Sequence, residues 1–185
     1  MFAWFFVFVI LFGNVLSAED PDYIKVLDLF MEKPLIDFSE SLTEDEVKAY
    51  SSAYEALEGK NMTDEQFAEE VGKQSKSAMQ KIINLQKAYD KMTSDLDKQS
   101  QDALETLQDI GSNTETVPTE QDVCNWILAA SRKIRKLNPT EQADIERDLP
   151  NLGRIMKQTN FINVQNCGDV NMLILDMLTK FWDRD

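Results

Sequence analysis

The chain contains no histidine. That absence removes the commonest general base, the usual zinc ligand, and both the Ser-His and the Cys-His nucleophile pairs. The sequence also lacks a Gly-rich phosphate loop, a nucleophile elbow and a paired-cysteine metal motif, so it offers no residues for nucleotide or metal-hydrolase chemistry. Carboxylates are plentiful, but the best calcium-like run, Asp95-x-Asp97-x-Gln99, lacks the glycine turn and the closing bidentate Glu of an EF-hand loop. It reads as a helix N-terminus. No metal site, no cofactor and no enzymatic activity are expected.

Basic residues are scarce, 19 Lys and Arg against 33 Asp and Glu, for a net charge of −14. A field of that sign repels phosphate backbones and anionic lipid headgroups, so nucleic acid is not an expected partner. Six glycines and five prolines interrupt 185 residues, and no stretch alternates convincingly with a period of two. With two cysteines the chain cannot be a disulfide scaffold. In a secretory compartment Cys124 and Cys167 could form one bridge, the alternative being two buried or unpaired thiols. Closing a loop of about 43 residues would contribute roughly 4 kcal/mol in the chain-entropy treatment.

The first long apolar run is Phe2 to Phe12, followed by Gly13, Asn14 and small residues, with no charge before Glu19. An eleven-residue core is too short for a stable membrane anchor, and Val15, Ser17 and Ala18 supply the small residues that a signal peptidase needs. Residues 1–18 are expected to be a cleaved secretory signal. Residues 19–185 then form a single secreted, extracellular domain, long enough to bury about 70% of its unfolded surface.

Helix grammar dominates the remainder of the chain. Tyr23 to Met31 predicts a short helix ended by Pro34, and Phe38 and Leu42 lead into a capping box, Thr43-Glu44-Asp45-Glu46. The helix after it carries Val47, Tyr50, Tyr54 and Leu57 on one side. Gly59 closes it, and Thr63-Asp64-Glu65-Gln66 opens another with Phe67 and Val71. From Ser77, the residues Ala78, Ile82, Leu85, Tyr89, Met92 and Leu96 recur at steps of four and three, one apolar seam of a long central helix. A break is expected near Ser94 to Lys98, after which Ala103, Leu104, Leu107 and Ile110 resume the pattern. Ser112 to Val117 is loop-like. Pro118-Thr119 starts a helix with Val123, Ile127, Ala130, Ile134 and Leu137, and Asn138-Pro139 caps the next, which ends near Pro150. Leu152 to Met156 adds a turn or two, and the last segment, Val170 to Trp182, is apolar on nearly every side. The expected fold is an all-α, compact bundle of about seven to nine helices.

The cluster Arg132, Lys133, Arg135 and Lys136 suits a helix C-terminus, and at the mouth of a cavity it could hold a carboxylate. Asn61-Met62-Thr63 is an N-glycosylation sequon, whereas Asn138-Pro139-Thr140 is excluded by its proline.

Three stretches, in order, resemble the nematode fatty-acid- and retinol-binding proteins. Phe38-Ser39-Glu40-Ser41-Leu42-Thr43-Glu44-Asp45 is similar to that family's aromatic-x-x-x-Leu-Thr-x-acid helix entry. Ser75, Gln80-Lys81, Leu85 and Leu96 fall at the spacings of its long central helix, and Leu137-Asn138 through Pro150-Asn151 and Ile155 resemble its penultimate helix pair. The resemblance implies a lipid-binding domain with an internal apolar cavity, and fatty acids, with retinol as a further candidate, as the partners. Under that implication the cavity candidates in the first half of the chain are Val47, Tyr50, Tyr54, Phe67, Val71, Ile82, Leu85 and Tyr89. Those in the second half are Ile127, Ile134, Leu173 and Met177, with Arg132, Arg135 and Lys136 as carboxylate-portal candidates. The competing expectation is a helical interaction protein or antigen of the nematode SXP/RAL-2 type, with a filled core and a protein partner.

Overall fold

The structure is a computed structural model that describes residues 22–57, 63–108 and 118–181. The proposed signal, Gly59, Asn61, Ile110, the Ser112 to Val117 loop and Trp182 lie outside the described residues. Among the described residues no strand occurs and ten α-helices are present. They are α1 (Asp22–Leu29), α2 (Lys33–Ser41), α3 (Glu44–Leu57), α4 (Asp64–Gln74), α5 (Lys76–Thr93), α6 (Lys98–Gln108), α7 (Glu120–Lys136), α8 (Pro139–Asp148), α9 (Pro150–Gln158) and α10 (Cys167–Phe181), with a short 3₁₀ turn at Phe161–Asn163.

The all-α reading holds, and the helix count exceeds the expected seven to nine because two prolines that read as stops are starts. Pro34 occupies the second position of α2 and Pro150 the first of α9, where the missing N–H is one that a helix leaves unpaired anyway. Capping boxes form where the sequence places them: Thr43 with Glu46, Thr63 with Gln66 and Asn138 with Glu141, joined by Thr119 with Asp122. The central seam stops at Thr93, and Asp97 restarts the chain by accepting the Ser100 amide at 2.8 Å.

The helices divide into two compact units. One is Lys33–Lys91; the other takes in residues 22–32 and everything described from Met92 onward.

In the first unit α3 lies against α4, and an aromatic cluster fills the space beneath them. Tyr50, 1% exposed, meets Phe38 edge-on at 5.8 Å between ring centres and Phe67 at 6.1 Å. Its hydroxyl donates to the Ala78 carbonyl at 3.1 Å, which satisfies the one polar atom that burial would otherwise leave costly. Ala78, Ile82, Leu85 and Tyr89 of α5 are buried in sequence order along the seam.

In the second unit α1 and α7 both lie against α10, α6 lies against α7, and α8 against α9. The disulfide between Cys124 in α7 and Cys167 at the start of α10, with Cα atoms 5.6 Å apart, spans 43 positions. The turn at Phe161–Asn163 is fastened to α7 by Ser131, whose hydroxyl donates to the Ile162 carbonyl at 3.1 Å, and by Arg135, which donates to the Val164 carbonyl at 2.8 Å. On α10, Val170, Leu173, Ile174, Met177 and Phe181 are buried, but Met172 and Leu175 are exposed, so this helix is less uniformly covered than its composition suggests.

Helix α9 has no side-chain cap of its own, because its N-cap residue is Leu149. Glu32 caps it from far upstream: its carboxylate accepts the Leu152 amide at 3.0 Å and the Asn151 amide at 3.1 Å. Burial pushes the Glu32 carboxyl above its ordinary range, against the pull of those two amides and of Arg154.

Two glycines on helices make a paired test. A Cβ on Gly153 in α9 would stand 2.6 Å from the Glu146 carbonyl oxygen and 2.8 Å from its Cα, both backbone atoms of α8. At Gly72 in α4 the corresponding contact, also 2.6 Å, is to the Met79 sulfur, which can swing away. Gly153→Ala is expected to cost about 2 kcal/mol through overpacking against an immovable neighbour. Gly72→Ala is expected to stay within about 1 kcal/mol of wild type, because the better helix propensity of alanine offsets the adjustment. Urea denaturation of both variants checks the contrast, and equal losses would contradict it.

Candidate functional site

Helices α2 and α5 of the first unit frame an open groove of about 400 Å³, within the size range of small-molecule pockets. From α2 it takes Pro34, Asp37, Phe38 and Ser41; from α5 it takes Lys81, Asn84, Leu85 and Ala88. These four α5 positions follow from helical spacing: 81, 84, 85 and 88 lie on one face, next to the buried seam. Phe38 and Leu85 are buried residues that present an edge to the groove, and Pro34 and Ala88 extend its apolar wall.

One end of the groove is polar. Lys81 donates from its ammonium to the Ser41 carbonyl at 2.6 Å and to Glu46 at 2.7 Å. Glu46, 5% exposed, also accepts the Thr43 amide at 2.9 Å and the Ser77 hydroxyl at 2.7 Å. Burial alone would push the Glu46 carboxyl up. The hydrogen bonds from Lys81, Thr43 and Ser77, with the Lys81 charge, outweigh it and hold the carboxyl down at about 2. It is an ionised, fully engaged carboxylate paired to the one ammonium among the groove's lining residues. Asp37, on the opposite wall, pairs with Lys33 at 2.6 Å.

A second depression, about 340 Å³, lies beside the disulfide and is lined by Thr119, Glu120, Gln121, Asn171 and the two cysteines. Its walls are polar: Asn171 donates to Glu120 at 3.0 Å and Gln121 approaches the Cys167 sulfur at 3.5 Å.

The cavity candidates separate. Tyr50, Phe67, Val71, Ile82, Leu85 and Tyr89 are buried in the first unit, where Val47 and Tyr54 are half-buried. Ile127, Ile134, Leu173 and Met177 are buried in the second. Of the twelve, Leu85 lines the groove. The portal candidates part as well. Arg135 is committed to the Val164 carbonyl and the Ser131 hydroxyl, while Arg132 and Lys136 are exposed.

The groove's cation, Lys81, is not among the portal candidates. Its partners, Ser41 and Glu46, are 40 and 35 positions away, and local charge density points instead to the α7 cluster. The available signal is a lysine flanking the seam in a stretch that resembles the carrier family. Among the described residues no helix is long and apolar enough to cross a membrane, and no group of three or more acidic or cysteine side chains could hold a metal ion.

No protein-family profile matches the chain, and comparison with curated proteins and with solved structures gives no match.

Proposed function

We propose that this protein is a secreted carrier that binds fatty acids, and retinol as a further ligand, reversibly in an apolar interior and without chemistry. The observation that carries the reading is the groove. It brings together two of the three stretches that resemble the carrier family, Phe38 to Asp45 and the Gln80-Lys81 to Leu85 region, 40 positions apart in sequence at Ser41 and Lys81. An apolar wall with polar groups, Lys81 and Ser41 among them, at one end has the polarity of an amphiphile with an apolar chain and a polar head. Full burial of about 14 methylenes at roughly 0.8 kcal/mol each would yield on the order of 11 kcal/mol gross, an upper bound for an open groove from which the ligand's loss of freedom is subtracted.

The test is an environment-sensitive fluorescent fatty acid titrated into delipidated, folded protein. A blue shift at micromolar concentration, reversed by oleate, is expected. No shift across several chain lengths would end the carrier reading.

The competing reading, a helical interaction protein, draws on Met172 and Leu175, which stand exposed three residues apart on one face of α10. Native mass spectrometry separates the two: a carrier leaves purification with lipid mass attached, and an interaction protein does not.

A further inference from the structure

Resting on the carrier reading, we infer that the groove between α2 and α5 is built for an amphiphile with a neutral hydroxyl head, and holds a long-chain alcohol more tightly than the fatty acid of the same chain.

The argument is one of charge and of donors and acceptors. An ammonium carries three N–H donors; Lys81 gives one to Ser41 and one to Glu46, leaving a third for a ligand in the groove that it lines. Its charge, however, is already met by the ionised Glu46 at 2.7 Å. A ligand carboxylate would add a second anion to a neutral pair, and the remaining lining groups offer it no further cation. Asp37 stands in the same lining, so that anion would also meet like charge. Lys33, which pairs with Asp37, offsets this in part, and since the two side chains are 81% and 54% exposed, water screens the attraction and the repulsion alike.

A hydroxyl fits the same surroundings. It is at once donor and acceptor, whereas a carboxylate only accepts. It can take the spare Lys81 N–H and give its own proton to Asp37. Asn84, also in the lining, adds an amide whose oxygen accepts from Gln80 at 3.0 Å and whose N–H groups are further donors. A hydroxyl meets these groups without adding charge, while a carboxylate sets an anion against a neutralised pair and a like charge.

The experiment uses a chain-matched pair, oleate and oleyl alcohol, each displacing the fluorescent fatty-acid probe from the full mature protein under mildly alkaline conditions. Oleyl alcohol is expected to bind about ten-fold more tightly. Asp37→Asn removes the like charge without touching the buried pair and should bring oleate roughly three-fold closer to the alcohol. Glu46→Gln uncovers the Lys81 charge and should narrow the gap further; circular dichroism and a thermal melt establish whether that variant folds, and if it does not, Asp37→Asn decides alone. Oleate binding as tightly as the alcohol or more so in the wild type overturns the inference and leaves the carrier reading intact. So does an alcohol preference unmoved in Asp37→Asn, since the head would then sit elsewhere. Failure of both ligands and of the probe to bind overturns the carrier reading itself.

Discussion

Replacing Cys124 with alanine and Cys167 with serine should lower the free energy of unfolding by about 4 kcal/mol, the chain-entropy cost of reopening a loop of 43 positions. Alanine suits the first site because Cys124 is 2% exposed, and a serine there would bury a hydroxyl without a partner. The effect should be a true loss of constraint, because the rest of the loop stays fastened by the Ser131 and Arg135 bonds to the turn. Guanidinium denaturation of the variant, beside wild type with and without reductant, is the measurement. The midpoints of the variant and of the reduced wild type should coincide below that of the oxidised protein. Titration of two free thiols in the denatured, unreduced wild type would remove the basis of the prediction.

The second large effect belongs to Lys81→Met. Methionine keeps most of the apolar stem but leaves Glu46 buried without its counter-ion, a loss of about 3 kcal/mol at neutral pH once partial exposure of the lysine is allowed for. The pH dependence identifies the cause. In the wild type the folded carboxyl is held at about 2 against an ordinary value of 4.5, so its contribution is complete above 4.5 and disappears as pH falls towards 2. Without Lys81 two of the causes that hold it down are gone and the folded carboxyl rises, so the variant's deficit shrinks as Glu46 takes up a proton. The two denaturation free energies should therefore converge on acidification. A deficit constant from neutral to acid pH would mean that lost packing, and not the ion pair, is responsible.

How far the sequence carries depends on the range of the interaction. The capping boxes at Thr43, Thr63 and Asn138 and the seam from Ala78 to Tyr89 are set by residues three or four apart, and the structure has them where local spacing puts them. Helix α2 escapes a sequence reading although Leu35 and Phe38 mark its buried face; the proline before them is as good a beginning as an end, and sequence alone does not weigh the two. Glu46 is legible as half of a capping box but not as the partner of Lys81. The second role depends on α5 crossing α3, which no local pattern encodes. Arg135 shows the same limit from the other side. It belongs to a conspicuous basic cluster, and its guanidinium also donates to a carbonyl 29 residues downstream that no local pattern announces. Burial of Tyr50, Phe67, Ile127 and Met177 follows from periodicity, while their division between two units does not, because one unit is assembled from two separated lengths of chain.

The remote cap on α9 sets an order of events during synthesis. Glu32 leaves the ribosome 119 residues ahead of the Asn151 amide that it will hold, a lag of roughly ten seconds at about 5–20 residues per second. Through that interval its carboxylate lacks the amides of α9, and α1 has no α10 to lie against. The Lys33–Lys91 unit has no such wait: its Lys81 to Ser41 bond closes within 40 positions of chain. The middle of the protein can therefore be finished while its flanks are still strangers, and a ribosome stalled before Asn151 would carry one folded unit and one whose first helix is still searching for its last.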